Sequence, residues 1–443
     1  MHNLSRPDGL SLASLARRAL KTTVLACSFA LLVQAANAVE LTLWAPTGFT
    51  PQAGLPAVAD AYQDLYTRFQ QENPDITLKF EVLPGGTEAL TQILTAASAG
   101  NLPDLAVLDG FWIARLVETG KLQPLNDLWP EAERSKFYKQ VVDAVTFDDK
   151  IYAAWFYNAW RGLYYRKDTL AKLGYETPPA TWEEFLAYAE KAKAANMSAV
   201  MYPGSATELT ALHMLSMFWG LGGELVDDAG KPVFFEGSHR AALEQVYSMY
   251  RELVEKGYMP LDVSTMDEAA IRPFFYSGEN ALTAQSSSAV TQMYADVPDL
   301  KGNLGAFNYP LPGGAAATPI LVGWTYGIFA ADPERKAAAW KFIDFALKPE
   351  NLGKLNSAAG HLPVVQSIWE QEFYKTDPLM VQFKGIFDSG GMRARPAVPI
   401  YPTITSAWAQ QMADVLAGNI TPAQAVDNAR DQVMAEYDRL STR

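Results

Sequence analysis

From Leu41 to Leu108 the hydrophobic positions switch repeatedly between a two-residue and a three-to-four-residue period. Leu41-Thr42-Leu43-Trp44 alternates as a short strand. Val58, Ala61, Tyr62, Leu65 and Phe69 then line one face of an amphipathic helix. Asn73-Pro74-Asp75 breaks it, and Ile76 to Leu83 alternates again as a strand. A second helix from Glu88 to about Ala99 ends at Gly100 and Pro103. The run Leu105-Ala106-Val107-Leu108 reads as a buried strand. Strand, helix, strand, helix, strand is the pattern of a parallel α/β sheet.

Helix starts recur further on. Thr181-Trp182-Glu183-Glu184 predicts a capping box that opens a helix to about Ala195. His239 to Lys256 is a second long helix. Asp332-Pro333 places a cap and a first-turn proline before Glu334 to Leu347. Thr421-Pro422-Ala423-Gln424 caps a terminal helix to Leu440. No internal repeat and no low-complexity linker interrupts the chain, so any lobes are joined by several crossings rather than one tether.

The N-terminus departs from this pattern. Arg17, Arg18 and Lys21 precede an uncharged, mostly apolar run from Thr22 to Ala35, and Ala36-Asn37-Ala38 fits a small-x-small cleavage site. This layout predicts a secretory signal peptide over 1–38, with a run too short to span a bilayer, and an exported mature chain from Val39. Arg17-Arg18 lacks the aromatic of a strong twin-arginine signal, which favours the Sec route. Cys27 is the only cysteine of 443 residues and lies inside the apolar run. The mature chain therefore has no disulfide, no thiol nucleophile and no zinc-thiolate site. Only about five uncharged residues precede Cys27, too few for a lipoprotein signal.

The whole chain carries a net charge of −13, and residues 1–38 hold +3 of it (Arg6, Arg17, Arg18 and Lys21 against Asp8), leaving −16 on the remainder. That balance argues against nucleic acid or anionic lipid as a partner. The chain is 49% hydrophobic, enough for a sizeable core, and 12% aromatic, which fits either core packing or a cleft faced with rings.

Six stretches, in order, resemble the family 1 extracellular solute-binding proteins of ABC importers, the sugar and glycerol-3-phosphate subgroup in particular. They are 41–46 (LTLWAP), 66–86 (YTRFQQENPDITLKFEVLPGG), 96–125 (AASAGNLPDLAVLDGFWIARLVETGKLQPL), 148–168 (DDKIYAAWFYNAWRGLYYRKD), 275–290 (FYSGENALTAQSSSAV) and 322–365, beginning VGWTYGIFAADPERK. Residues 373–378 (FYKTDP) and 418–429 (GNITPAQAVDNA) add to the subgroup likeness. The resemblance implies a two-lobed α/β periplasmic-binding-protein-like fold of type II with a hinge of three crossings. Lobe 1 would comprise 39–157 and 284–328, and lobe 2 would comprise 158–283 and 329–443. A ligand would close the lobes over a central cleft, and the closed monomer would dock on a membrane permease.

A sugar presents hydroxyls at its edges and C–H groups on its faces, so a binder needs flat rings beside planar polar groups. Candidates lie at strand ends and crossings. Trp44 ends the first strand. Asp109, just past Leu108, matches a stretch where the family carries an acidic ligand contact, with Trp112 as a platform or core residue. Tyr157, Asn158, Trp160 and Arg161 crowd the first crossing, although Arg161 also suits a hinge salt bridge. Ser286 and Ser287, followed by Ser288, sit in the second crossing. Gly323-Trp324 precedes the third, where the family often has two glycines, so Trp324 adds a stacking face. Gly204 would lend backbone amides from lobe 2. His361 falls where glycerol-phosphate binders have a tyrosine. That branch also carries an arginine near Ala397; here Ala397 and Val398 follow Arg393 and Arg395, either of which could reach in.

A phosphate needs charge-assisted donors, and the sequence offers no phosphate loop or basic cluster, which favours a neutral carbohydrate. No cofactor or metal is implied: there is no Gly-x-Ser-x-Gly elbow and no His-x-x-x-His pair. A glycosidase would need two carboxylates facing one bond, and Asp109 has no evident second.

Overall fold

The computed structural model describes residues 38–84, 86–388 and 392–442. The expected leader at 1–38 lies outside them except for Ala38. Two sheets organise the chain. The first has the order Ile76–Leu83, Val39–Pro46, Leu105–Asp109, Trp324–Ile328, Ala154–Trp155. Its first three strands are parallel, and Trp324–Ile328 runs antiparallel to both of its neighbours. The second has the order Leu304–Phe307, Arg161–Arg166, Asn280–Ser286, Ser198–Met201. Every residue of Leu105–Asp109 and of Asn280–Ser286 is buried, as expected for central strands covered on both faces.

The helices start where the sequence signals them. Asp332 accepts from the amides of Glu334 and Arg335 and opens Pro333–Leu347. Thr421 and Gln424 form a reciprocal capping box at the head of Pro422–Ser441. At Trp182–Ala194 the Thr181 side chain accepts from the Glu184 amide, but the Glu184 carboxylate turns back to the Ala180 amide rather than to that of Thr181. Among the described residues no helix is long and apolar enough to cross a membrane.

The segment boundaries shift from those expected. Leu304–Phe307 pairs with Arg161–Arg166, so 284–328 is divided between the two sheets rather than belonging to the first. Pro333–Leu347 and Pro349–Ala359 pack on the first lobe, where Arg335 grips Asp104, Lys354 meets Asp64, and Arg68 donates to Asn351. Only the last stretch, including Tyr401–Leu416 and Pro422–Ser441, joins the second lobe, where Tyr247 donates to the Trp408 carbonyl and Arg240 grips Asp427. Long-range side-chain partners decide this membership, and local hydrophobic period carries no information about them.

The crossings are bound to one another. Asn158 exchanges two backbone hydrogen bonds with Leu362 at 2.8 Å, and its side-chain oxygen accepts from the Val322 amide at 2.8 Å. One asparagine thus ties three stretches of the chain together, around 158, 322 and 362.

Candidate functional site

Between the lobes lies a cavity of about 850 Å³, within the range of small-molecule sites. Its first-lobe wall is aromatic. Trp324 stands edge-on to Trp112 at 5.3 Å between ring centroids and 5.0 Å from Phe49. Phe49 continues to Tyr157 at 6.0 Å, and Tyr157 stacks flat on His361 at 3.6 Å with 6° between planes. Burial lowers the His361 imidazole to about 3, so at neutral pH it is an uncharged ring in this surface. Burial, and after it the charge of Asp109, pushes the Tyr157 phenol up, so its hydroxyl keeps its proton.

The second-lobe wall is polar. Arg161, the first residue of its strand, donates through Nε to Glu268 Oε1 at 2.7 Å, and His213 Nε2 meets the same oxygen at 2.9 Å. His213 Nδ1 in turn contacts the Tyr309 hydroxyl. Burial works to raise the Glu268 carboxyl, but the Arg161 guanidinium and His213 outweigh it and hold it at about 2. Gln285 donates to the Glu268 carbonyl at 2.7 Å. Four buried atoms of lining residues have no hydrogen-bond partner among the described residues: Arg161 Nη1, Arg272 Nε, Gln285 Oε1 and Trp112 Nε1. An unsatisfied buried polar atom costs about 1–3 kcal/mol. These three donors and one acceptor sit in the walls around the cavity, where a bound molecule is the remaining source of partners.

Asp109 ends its strand and caps the following turn through the Phe111 amide at 3.4 Å. Its carboxylate also meets Arg395 Nη2 at 2.6 Å, and Arg395 Nη1 lies 3.5 Å from Glu208. The guanidinium stacks 4.6 Å from the centre of the Phe111 ring. Because Asp109 belongs to the first lobe, and Glu208 heads the second-lobe helix Glu208–Gly220, this bridge spans the cleft.

Of the residues expected from sequence, Asp109, Trp112, Tyr157, Arg161, Ser286, Trp324 and His361 line the cavity. The others are turned elsewhere, each for a packing reason. Trp44 is buried in mid-sheet, its backbone in register with Glu81 on one side and Ala106 on the other. Asn158 is spent on the crossings. Trp160 is fully buried against Phe383, with its indole donating to Asn308 at 3.2 Å. Ser287 supports that tryptophan, accepting from the Trp160 amide at 3.1 Å, and Ser288 takes the lining position instead. Gly204 donates to the Met266 carbonyl and has Val263 O where a Cβ would stand 2.8 Å away. Gly323 passes so close to the first crossing that a Cβ would fall 1.9 Å from Tyr157 O. Arg395 lies behind the lining, held by its two carboxylates. Arg393 lies 4.4 Å over Trp219 and pairs with Glu224, outside the cavity.

Phe49, Glu208, Glu268 and Gln285 line the cavity without having been singled out. Glu208 carried a faint signal, an acidic residue at a helix start after the Pro203-Gly204-Ser205 turn. Glu268 and Gln285 face the site only because distant strands and helices converge there. Among the described residues no group of three His, Cys, Asp or Glu side chains is disposed to hold a metal ion.

The family model of the bacterial extracellular solute-binding proteins matches residues 49–352. The chain belongs to that family. Among its relatives is a Brucella abortus (strain 2308) binding protein, 25% identical over 374 residues, covering 83% of this chain and 87% of the relative. Another is the sn-glycerol-3-phosphate-binding periplasmic protein UgpB of Escherichia coli K12. It is 28% identical over 398 residues, covering 82% and 86% respectively. Among solved structures, maltose-bound MalE3 of T. maritima superposes with a TM-score of 0.78 at 26% identity, covering 90% of this chain and 99% of that one. The family member described here thus shares the two-lobed architecture of MalE-like binding proteins.

Proposed function

We propose that this protein is the periplasmic substrate-binding component of an ABC importer and that its cargo is a neutral carbohydrate, a di- or oligosaccharide or a glycoside. The observation that carries the reading is the division of the cavity. A continuous ring surface of Trp324, Trp112, Phe49, Tyr157 and His361 faces a wall carrying the polar side chains of Arg161, Gln285 and Ser286, with Arg161 Nη1 and Gln285 Oε1 unpartnered. A pyranose offers C–H faces to the first and hydroxyls to the second. A ligand touching both walls favours the closed arrangement by its differential contacts, and the closed monomer is the form a membrane permease would accept. Each arginine next to the cavity other than Arg272 is already matched to a carboxylate: Arg161 to Glu268, and Arg395 to Asp109 and Glu208. That balance supports an uncharged ligand and leaves no carboxylate pair free for glycoside hydrolysis.

A second reading, capture of glycerol-3-phosphate or a glycerophosphodiester, is supported by the UgpB relatives and by the unpartnered Nη1 of Arg161. Calorimetry of the mature chain against maltose, trehalose and glycerol-3-phosphate at two salt concentrations separates the two. Binding only to the anion, weakened by salt, rejects the carbohydrate reading, and sustained turnover of a bound sugar rejects the transport role. The expected leader and its cleavage after Ala38 are tested by mass spectrometry of the secreted chain.

A further inference from the structure

The guanidinium of Arg395 is the most buried cation beside the cavity, with a side-chain exposure of 2%, and it is shared by two carboxylates, Asp109 at 2.6 Å and Glu208 at 3.5 Å. Two negative groups on one positive group leave this end of the cleft with an excess negative charge. The arrangement is constructed rather than incidental. Tyr401 donates its hydroxyl to Glu208 at 3.0 Å, fixing the carboxylate from a second helix. The guanidinium carbon sits over the Phe111 ring, 4.6 Å from its centre. Arg395 Nε remains a buried donor without a partner among the described residues. Burial raises the Glu208 carboxyl, although the Arg395 charge works against it.

We infer that Glu208 determines the charge of the ligand: with Asp109 it consumes Arg395, so the cleft accepts uncharged polyhydroxylated molecules and excludes anions. This rests on the carbohydrate reading above and adds the residue responsible for it. An approaching oxyanion meets Asp109 and Glu208, both of which line the cavity, before the cation held behind them. Removing the Glu208 charge, with its shape kept as an amide, frees one arm of a guanidinium already planar, oriented and stacked, the geometry suited to a phosphate or sulfate group. Removing both carboxylates leaves Arg395, Arg161 and Arg272 around the cavity against Glu268 and Glu88.

The test compares wild type, Glu208→Gln, Asp109→Asn and the double variant by calorimetry against maltose, sn-glycerol-3-phosphate and inorganic phosphate at low and at physiological salt. Circular dichroism and melting curves identify which variants fold, and Asp109→Asn releases the other arm of the same guanidinium should Glu208→Gln fail. Wild type is expected to bind neither anion. The folded variants are expected to gain anion binding, by about tenfold or more over wild type in the double variant, with a steep salt dependence. Folded variants that gain no anion overturn the inference while leaving sugar binding by wild type intact. Glycerol-3-phosphate binding by wild type instead overturns the neutral-ligand reading itself, and this inference with it.

Discussion

Tyr157 and His361 stack flat on one another, 3.6 Å apart with 6° between their planes. One belongs to the first crossing and the other lies just beyond Pro349–Ala359, so the stack joins two segments some two hundred residues apart in sequence. Because burial depresses the imidazole to about 3, it stays neutral in the folded protein where an unfolded histidine would take up a proton. Its contribution to stability is complete above about pH 6.5 and is lost as pH falls from there towards 3, at roughly 1.4 kcal/mol per unit. Glu268, held at about 2, adds a second loss as pH falls below the ordinary carboxylate range. Melting temperature is expected to be flat from pH 7 to 8 and to decline below 6.5. His361→Gln should flatten the upper part of that decline, and an unchanged profile in the variant counts against the assignment.

Trp324 is half-buried, in a T-shaped contact with Trp112 and a tilted one with Phe49. Trp324→Ala should weaken sugar binding by about tenfold, the order of one aromatic stacking contact, with a smaller effect on the melting temperature. Titration of the variant against the best neutral ligand checks this. Wild-type affinity would remove Trp324 from the site.

Asn158 was expected to meet the ligand and instead holds the crossings together. Asn158→Ala removes the acceptor of the buried Val322 amide and should cost about 1–3 kcal/mol in denaturant unfolding. Any change in affinity should follow from altered closure, visible as a shift in the radius of gyration of the ligand-free protein by small-angle scattering.

Gly323→Ala tests a different kind of constraint. The added methyl would stand 1.9 Å from the Tyr157 carbonyl and 2.3 Å from the Trp155 indole nitrogen. Neither segment can yield without moving the other, so the variant should lose about 3 kcal/mol of stability, the upper end of overpacking costs. A variant that melts like wild type would show the crossings to be looser than their contacts imply.

The parts of this molecule that were legible in the sequence are those fixed by local period and local chemistry. Ile76–Leu83 forms where the alternation predicts it, and the Asp332 and Thr421 caps open their helices as expected. The cavity residues that could be read, such as Asp109 and Tyr157, sit at strand ends or in crossings, where connectivity alone points to a cleft. What escaped was set by partners far away in sequence. Leu304–Phe307 is a short apolar run that either sheet could use, and only its pairing with Arg161–Arg166 decides between them. Trp160 and Trp324 look alike as crossing tryptophans. One is covered by Phe383 and bonded to Asn308, whereas the other is left facing the cavity.

The strand order of the first sheet also has a consequence in time. Its fourth strand, Trp324–Ile328, and the helices Pro333–Leu347 and Pro349–Ala359 that cover it are supplied by the last third of the chain. A nascent polypeptide emerging N-terminus first therefore carries Leu105–Asp109 with one edge unpaired until more than two hundred further residues have followed. No early fragment can bury its core, and the protein passes from unfolded to folded near the end of its own synthesis or translocation. A chain stopped at residue 300 should accordingly lack a cooperative melting transition, and a sharp one would contradict this order of events.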